Sequence, residues 1–283
     1  MDKKLSPGLH IVATPIGNLG DLSPRAADTL RHADKILAED TRVTAKLLNH
    51  IGARVPMMRY DDHSSEAARE KIVGALGEQA IVLVSDAGTP LISDPGYKLV
   101  RLARAAGHAV HTVPGPSAVI AALTLAGLPT DRFMFLGFLP AKAKARAEAI
   151  EELAAVRATL VFYESGPRLY DTLSALELRL GARAAAVTRE ISKLHEECLT
   201  GTLSELSARY REVTPKGEIV LVVGPPSETV DVSEAQLDAA LDEALSRLSP
   251  SRAAADVAMK LGLARKRVYA RALELSARDR QES

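Results

Sequence analysis

Short apolar runs alternate with longer amphipathic runs along most of the chain. Three apolar runs in the amino-terminal part, at residues 10–13, 80–84 and 109–113, each end at a turn rich in Gly, Pro and small polar residues. Apolar runs bounded in this way and separated by helical patterns predict buried parallel strands in βαβ units. Ligands bind at the carboxyl ends of strands in open sheets of this kind. The three turns therefore predict one crevice for a polar small molecule.

The alternation continues beyond residue 120, with strands predicted at 133–136, 159–163, 184–188 and 218–223. Helical crossovers are fewer there, which favours a mixed sheet over a purely parallel one. Gly224-Pro225-Pro226-Ser227 is the clearest linker, and only helical patterns follow it. We therefore expect an α/β protein with two α/β domains, at 1–120 and 121–228, and a small all-helical domain at 229–283.

Composition limits the possible functions. Of the 283 residues, 47% are apolar and 25% are charged, as in soluble globular proteins. Lys plus Arg equals Asp plus Glu at 36 each, so contacts with nucleic acid must come from local patches. The single cysteine and the spacing of the seven histidines predict neither a disulfide framework nor a metal site. The chain has no apolar segment long enough for a membrane span or a signal peptide, so a cytoplasmic protein without a membrane partner is expected.

Two polar segments near the amino terminus are candidates for ligand binding. The turn at residues 14–21 follows a strand and precedes a helix, where a dinucleotide fold places its phosphate turn, although it has only two glycines. An ordinary structural turn is an equally good interpretation. Glu39-Asp40-Thr41-Arg42 ends the next strand, where a Rossmann enzyme has its ribose-binding acid. A nicotinamide-dependent dehydrogenase therefore stays open, as does a simple surface ion pair.

The segment at residues 85–96 is the most informative. It places two carboxylates, two glycines and two prolines between a buried strand and a helix. A long polar loop is costly to order unless something binds it, which points to a ligand site. Asp86 is the better candidate for a functional role, because Asp94 could equally well be the N-cap of the following helix.

Several features of the second half and the tail are ambiguous. Tyr163 and Glu164 end a strand at a tight turn and could be an ordinary strand end. The cations at Lys142, Lys144 and Arg146 form either a solvated helix face or a cationic arm for phosphates. The tail has a helical pattern, a glycine and then a basic helix, which resembles a helix-turn-helix or a small helical cap. Its candidate nucleic-acid contacts are Arg265, Lys266, Arg267 and Arg271.

Longer motifs add a resemblance to a known family. They include VATPIGNLGD at 12–21, AEDTR at 38–42, VSDAGTPLISDPGY at 84–97, PGPSA at 114–118, GFLPAK at 137–142, FYES at 162–165, SPSRAA at 249–254 and VYARALEL at 268–275. These motifs resemble the ribosomal RNA small subunit methyltransferase I family over essentially the whole chain. That family is part of the tetrapyrrole-methylase-like group, which binds S-adenosylmethionine in a cleft between two α/β domains and usually forms homodimers. The resemblance implies 2′-O-methylation of a cytidine in the decoding region of 16S rRNA, and the expected partner is this rRNA within the small ribosomal subunit.

The resemblance also implies roles for individual residues. It places Glu39, Asp40, Arg42, Ser93 and Asp94 toward the nucleotide, and we hypothesise that Asp40 deprotonates or orients the 2′-hydroxyl while Arg42 binds a phosphate. One departure is Gly166-Pro167, where the family often has a Thr-His pair, so a substrate role of that histidine does not carry over. The expected cofactor contacts are Pro15, Gly17, Asn18, Asp86, Gly88, Thr89, Ser117 and Ala118, with Tyr163 and Glu164 closing the pocket from the second domain.

Three other classes of protein have to be weighed against this expectation. A tetrapyrrole or precorrin methylase on the same fold would not need the basic tail. A dehydrogenase would show no methyl transfer, and a DNA-binding regulator would catalyse nothing. The cationic stretch at 142–146, the tail and the full-length resemblance favour rRNA methylation.

Overall fold

All five strands of the first sheet are parallel. The computed structural model describes residues 4–226, 234–261 and 265–279. The first sheet has the strand order β3-β2-β4-β1-β5, a doubly wound arrangement that confirms the predicted βαβ units. Its strands are β1 (Gly8–Val12), β2 (Lys35–Ala38), β3 (Met57–Arg59), β4 (Ala80–Val84) and β5 (Val110–Val113), and its helices are α1 (Pro24–Arg31), α2 (Thr41–His50), α3 (Glu66–Ala75) and α4 (Tyr97–Ala105).

The first sheet is buried on both faces. Neighbouring residues of one strand point to opposite faces, and Ile36 and Leu37 of β2 are both fully buried in different apolar clusters. This explains why the strands read as continuous apolar runs rather than as alternating ones. The carboxyl ends of all five strands consequently meet at one edge of the sheet.

The second sheet is mixed, as the sequence predicted. Its order is β6-β7-β10-β8-β9, and only β6 and β7 are parallel. The strands are β6 (Phe133–Phe138), β7 (Thr159–Ser165), β8 (Ala184–Arg189), β9 (Glu197–Thr202) and β10 (Glu218–Val223). One face is covered by α5 (Ala118–Ala126), and α6 (Ala143–Glu151), α7 (Gly166–Leu180) and α8 (Leu203–Tyr210) pack on the other.

Both sheets belong to one unit of the chain, which ends at Pro225. α5 contains the predicted domain boundary near residue 120 and packs on the second sheet. A second unit begins at Pro226, close to the predicted start of the tail, and its described part consists of α9 (Glu234–Leu245), α10 (Pro250–Leu261) and α11 (Arg265–Asp279). These three helices bury a small apolar core around Leu241, Val257 and Val268. No described helix combines the length and apolarity needed to cross a bilayer.

Candidate active site

A cavity of about 370 Å³ lies between the carboxyl edge of the first sheet and the second sheet. The loop after β4 and the start of α5 line one side, with Gly88, Thr89 and Ala118 among the lining residues. The end of β7 and the start of β10 line the other side, including Tyr163 and Val220. The volume lies in the range of small-molecule sites in proteins.

Hydrogen bonds join the three turns that the sequence predicted to converge. The backbones of Thr14 and Gly88 exchange two hydrogen bonds, with N···O distances of 2.9 and 3.1 Å. The Thr89 hydroxyl donates to the Pro116 carbonyl at 3.0 Å, and the Thr14 hydroxyl donates to the Ser85 carbonyl at 3.3 Å. The predicted convergence is therefore confirmed, and it occurs at the cavity.

The loop after β4 has an unusual backbone. Leu91 and Ser93 have φ angles of 75° and 62°, in the left-handed region that costs a residue with a side chain about 1–3 kcal/mol. Gly96 has a φ of 135°, and a Cβ atom there would lie 2.7 Å from Cδ2 of Leu83. Gly96 is also the N-cap of α4, which excludes the alternative that Asp94 caps this helix. Asp94 lines the cavity instead.

Acidic groups near the cavity interact with one another. Burial raises the pKa of Asp94, a hydrogen bond from Ser85 opposes that shift, and the negative charge of Asp86 adds to it. Burial also raises the pKa of Glu39, and the charges of Asp94 and Asp86 raise it further. Asp86 does not line the cavity; its Oδ1 accepts the backbone N–H of Asp40 at 2.9 Å. The protons of Asp94 and Glu39 are consequently held more tightly than those of ordinary carboxyl groups.

Asp40 has a different environment. Its Oδ1 accepts the backbone N–H of Arg42 at 2.8 Å and so caps α2, while Nε and Nη2 of Arg42 bind both carboxylate oxygens at 2.6–3.1 Å. These hydrogen bonds lower the pKa of Asp40 to about 2. The Arg42 side chain is 87% exposed. The geometry therefore favours Asp40 as a group that orients Arg42 rather than as the base of our hypothesis.

The turn at Pro15, Gly17 and Asn18 contributes to the cavity only through Ile16, which the sequence did not single out. Asn18 Oδ1 accepts the backbone N–H of Gly20 at 2.9 Å. A Cβ atom on Gly17 would lie 2.4 Å from Cγ of Lys193, so the loop after β8 covers this turn. The three predicted residues thus support the cavity edge without lining it.

The second sheet supplies an apolar wall. Tyr163 packs against Phe135 and Phe138, with ring centroids 4.8 and 5.6 Å apart, and burial followed by the charge of Asp94 raises the pKa of Tyr163. Among the predicted contacts, the residues that line the cavity are Gly88, Thr89, Ser93, Asp94, Ser117, Ala118, Tyr163 and Glu164. The sequence missed Phe138, Ile191 and residues 217–220, because they reach the cavity through the pairing of strands that are distant in sequence: β6 and β10 with β7, and β8 with β10.

The predicted cations differ in their accessibility. Lys142 and Lys144 are exposed at the start of α6. Arg146, only 7% exposed, points inward and donates to the Ala141 carbonyl at 3.3 Å, which makes it a poor candidate for RNA contact. Arg271 is bound by both oxygens of Asp238 at 2.7 Å and also by Glu274. Arg265 is exposed, and the side chains of Lys266 and Arg267 lie outside the described residues.

Comparison with known proteins identifies the family. Residues 8–207 match the family Tetrapyrrole (Corrin/Porphyrin) Methylases, and residues 231–276 match the RsmI C-terminal HTH domain. A protein of Erythrobacter litoralis (strain HTCC2594) named Ribosomal RNA small subunit methyltransferase I is 58% identical over 272 residues, which cover 96% of each chain. The chain belongs to the ribosomal RNA small subunit methyltransferase I family. A member from Mesorhizobium japonicum, with the same name, is 46% identical over 96% of this chain and 94% of its own.

Solved structures confirm the fold of the first unit. Uroporphyrin-III-C-methyltransferase from Thermus thermophilus aligns with a TM-score of 0.54 and 21% identity, covering 76% of this chain and 93% of its own. A diphthine synthase aligns with a TM-score of 0.60 and 14% identity over 76% and 89% of the two chains. The expected two-sheet methylase fold and the helix-turn-helix in the tail are therefore confirmed for this member of the methyltransferase I family.

Proposed function

We propose that this protein transfers a methyl group from S-adenosylmethionine to the 2′-oxygen of a cytidine ribose in the decoding region of 16S rRNA. The observation that carries the proposal is the cavity between the sheets, where Asp94 and Tyr163 face the same space. Asp94 comes from the first sheet and Tyr163 from the second. Membership of the methyltransferase I family supports the same reaction class.

The cavity has the chemical character that the donor requires. The backbone of Thr89 and the hydroxyl of Ser117 offer hydrogen bonds to polar parts of the donor, while Ile16 and Val220 offer apolar contact. When bound, S-adenosylmethionine supplies an electrophilic methyl group on a sulfonium. Pro15, Gly17, Asn18 and Asp86 act indirectly, by fixing the turn and the strand ends around the cavity.

The acids at the cavity edge serve the acceptor hydroxyl. In-line methyl transfer depends mainly on alignment of the reacting groups. A positioned base adds about 10²–10⁴-fold, and a raised pKa brings a carboxylate closer to the ideal. Asp94 is the candidate that both lines the cavity and has a raised pKa, with Glu39 beside it. Asp40 holds Arg42, whose exposed guanidinium suits a phosphate of the RNA.

Exposed cations outside the cavity suit the rest of the RNA. Lys142 and Lys144 lie on the segment that follows the cavity residue Phe138, and Arg265 is exposed on the second helix of the helix-turn-helix. Such contacts position RNA through its phosphates and carry no sequence information. An RNA folded in the small ribosomal subunit, in the cytoplasm, is the substrate that this arrangement favours.

A second copy of the chain is the partner that the outer edge of the second sheet favours. β6 is an edge strand, and Phe133 and Met134 on it are 44% and 43% exposed. Ile120 on α5 is also half-exposed. Apolar side chains on an open edge are normally covered by another surface, and a homodimer would cover them.

The reaction is tested by incubating the purified protein with methyl-labelled S-adenosylmethionine and small ribosomal subunits that lack the modification. We expect label in the 16S rRNA, on the 2′-oxygen of one cytidine in the decoding region. Reverse transcription at low nucleotide concentration maps the modified ribose. Transfer to a tetrapyrrole but not to the subunits, or label on a base, would contradict the proposal.

A further inference from the structure

Glu164 has a fully buried carboxylate beside the cavity. Its Oε2 accepts the Thr172 hydroxyl at 2.6 Å, and its Oε1 accepts the backbone N–H of Ser165 at 2.8 Å. Burial of a carboxylate is tolerated when hydrogen bonds and an opposite charge compensate it. The opposite charge here is Arg168, whose Nε lies 3.5 Å from Oε1.

Arg168 connects this buried group to a loop. Its Nη2 donates to the carbonyl of Leu139 at 2.5 Å, while the Nε side faces Glu164. One guanidinium therefore spans from the carboxylate at the end of β7 to the segment between β6 and α6. A planar guanidinium with donors on two edges can make both contacts, whereas an ammonium group at the end of a flexible chain cannot hold the same geometry.

The loop that Arg168 holds begins at the cavity and ends at the exposed cations. Phe138, directly before Leu139, lines the cavity and packs on Tyr163. Gly137 has a φ of 62°, and a Cβ atom there would lie 3.1 Å from Oγ of Ser93 in the first half. Lys142 is at the other end of the loop, at the N-cap of α6.

We propose that Arg168 is a positioning residue that fixes the loop at residues 137–142, so that the cations which bind RNA stand at a set distance from the reacting groups. The inference rests on the proposed function and adds to it a residue that does not line the cavity. The buried carboxylate of Glu164 fixes the position of Arg168, and Arg168 in turn holds the loop through the Leu139 carbonyl.

The test compares Arg168→Lys with Arg179→Lys. Arg179 lies on the same helix and also reaches α6, through a 3.0 Å contact with Glu151, but at the surface. Arg168→Lys keeps the positive charge but cannot contact Glu164 and the Leu139 carbonyl at the same time. We expect it to raise the KM for undermethylated small subunits about tenfold, the usual scale for losing a hydrogen bond to a charged group, and to leave the Kd for S-adenosylhomocysteine within about twofold. Arg179→Lys should match the wild type in both.

A second variant separates positioning from folding. Pro140→Gly makes the loop more flexible and leaves Arg168 and Glu164 unchanged. The KM for subunits should therefore rise, while the Kd for S-adenosylhomocysteine, measured by calorimetry, should stay the same. An unchanged KM for subunits in Arg168→Lys would overturn the inference. So would equal increases in the KM for subunits and in the Kd for S-adenosylhomocysteine in both Arg168→Lys and Pro140→Gly. Wild-type protein that methylates no subunits would instead refute the proposed function itself.

Discussion

The two sides of the cavity present carboxyl groups of opposite character. Asp94, which lines the cavity, and Glu39, which interacts with it, follow strands of the first sheet, and their pKa values are raised because both are half-buried near other acids. Glu164, from the second sheet, is fully buried and has both oxygens in hydrogen bonds, with Arg168 beside it. All three follow or end a strand. The comparison teaches that the hydrogen-bond and charge partners of a carboxyl group, rather than its place after a strand, distinguish the base that we propose from a carboxylate that stabilises the fold.

The largest effect is expected from Asp94→Asn. Removing the proposed base should lower kcat about 10²–10⁴-fold in single-turnover methylation of small subunits. Since the pKa of Asp94 is raised, the wild-type rate should fall on acidification at a higher pH than for an ordinary aspartate. Asp40→Asn is the matched control, because Asn caps a helix as well as Asp does. Its kcat should stay within about tenfold of the wild type, and an equal loss in both variants would contradict the distinction.

Asp94→Asn should also stabilise the fold. A carboxyl group whose folded pKa lies above its unfolded value favours folding when protonated, and this contribution is lost as the pH rises through the folded pKa. At neutral pH the ionised Asp94 therefore costs stability. We expect the amide to raise Tm by about 2 °C in differential scanning fluorimetry. A lower Tm would show that the carboxylate is a structural group like Glu164.

The opposite outcome is expected for Glu164→Ala. The change leaves the Thr172 hydroxyl and the Ser165 N–H without their acceptor and the Arg168 guanidinium without its opposite charge, which typically costs about 3–5 kcal/mol. Urea denaturation measures the free energy of unfolding. The exposed Glu148→Ala should change it by less than about 0.5 kcal/mol. Loss of methyl transfer without loss of stability in Glu164→Ala would place this group among the reacting ones.

A smaller effect is expected from the exposed lysines. In the double variant Lys142→Ala and Lys144→Ala, two phosphate contacts are lost, so the slope of log KM for subunits against log salt should become shallower by about 1.4. Arg146→Ala should leave that slope unchanged and lower Tm, because Arg146 is buried. Identical slopes in the lysine variant and the wild type would remove these residues from the RNA site.

The smallest effect concerns His10, which shows that a shifted pKa alone does not mark a reacting group. His10 stacks on His111 with ring centroids 4.6 Å apart and does not line the cavity. Burial lowers the pKa of His10. A hydrogen bond to the Ser6 carbonyl raises this pKa in part, and the charge of His111 lowers it further. The unfolded chain therefore takes up a proton first, and stability should fall as the pH drops below about 6.5. His10→Gln should weaken that pH dependence in urea denaturation without altering kcat; an unchanged dependence would contradict the assignment.

The sequence predicted most of the fold because the buried strands are apolar runs that end at Gly and Pro turns. It did not predict β3, since Met57–Arg59 is three residues long and only half-buried. It also missed α3, where Ile72 is the only buried residue of the helix and the helical pattern is correspondingly weak. The motifs identified the family and the loops that line the cavity, but not the contacts between those loops.

The sequence predicted which loops form the candidate site, but not which contacts their side chains make. The sequence placed Gly88, Thr89 and Tyr163 near one ligand, and the structure brings them to one cavity. Nothing in the spacing of Lys142, Lys144 and Arg146 shows that the third points inward, because that depends on how α6 packs on the sheet. The partners of Asp40 and Glu164 likewise depend on local geometry that composition does not encode.

Calorimetric titration of S-adenosylhomocysteine into the wild type and into Ala118→Phe tests most directly whether the cavity between the sheets is the donor site. Ala118 lines that cavity at the start of α5, so a larger side chain there takes up its space. We expect one molecule bound per chain in the wild type and a loss of affinity of at least about 100-fold in the variant, with Tm showing that it is folded. Equal affinity in both proteins, or no heat of binding in the wild type, would contradict the assignment.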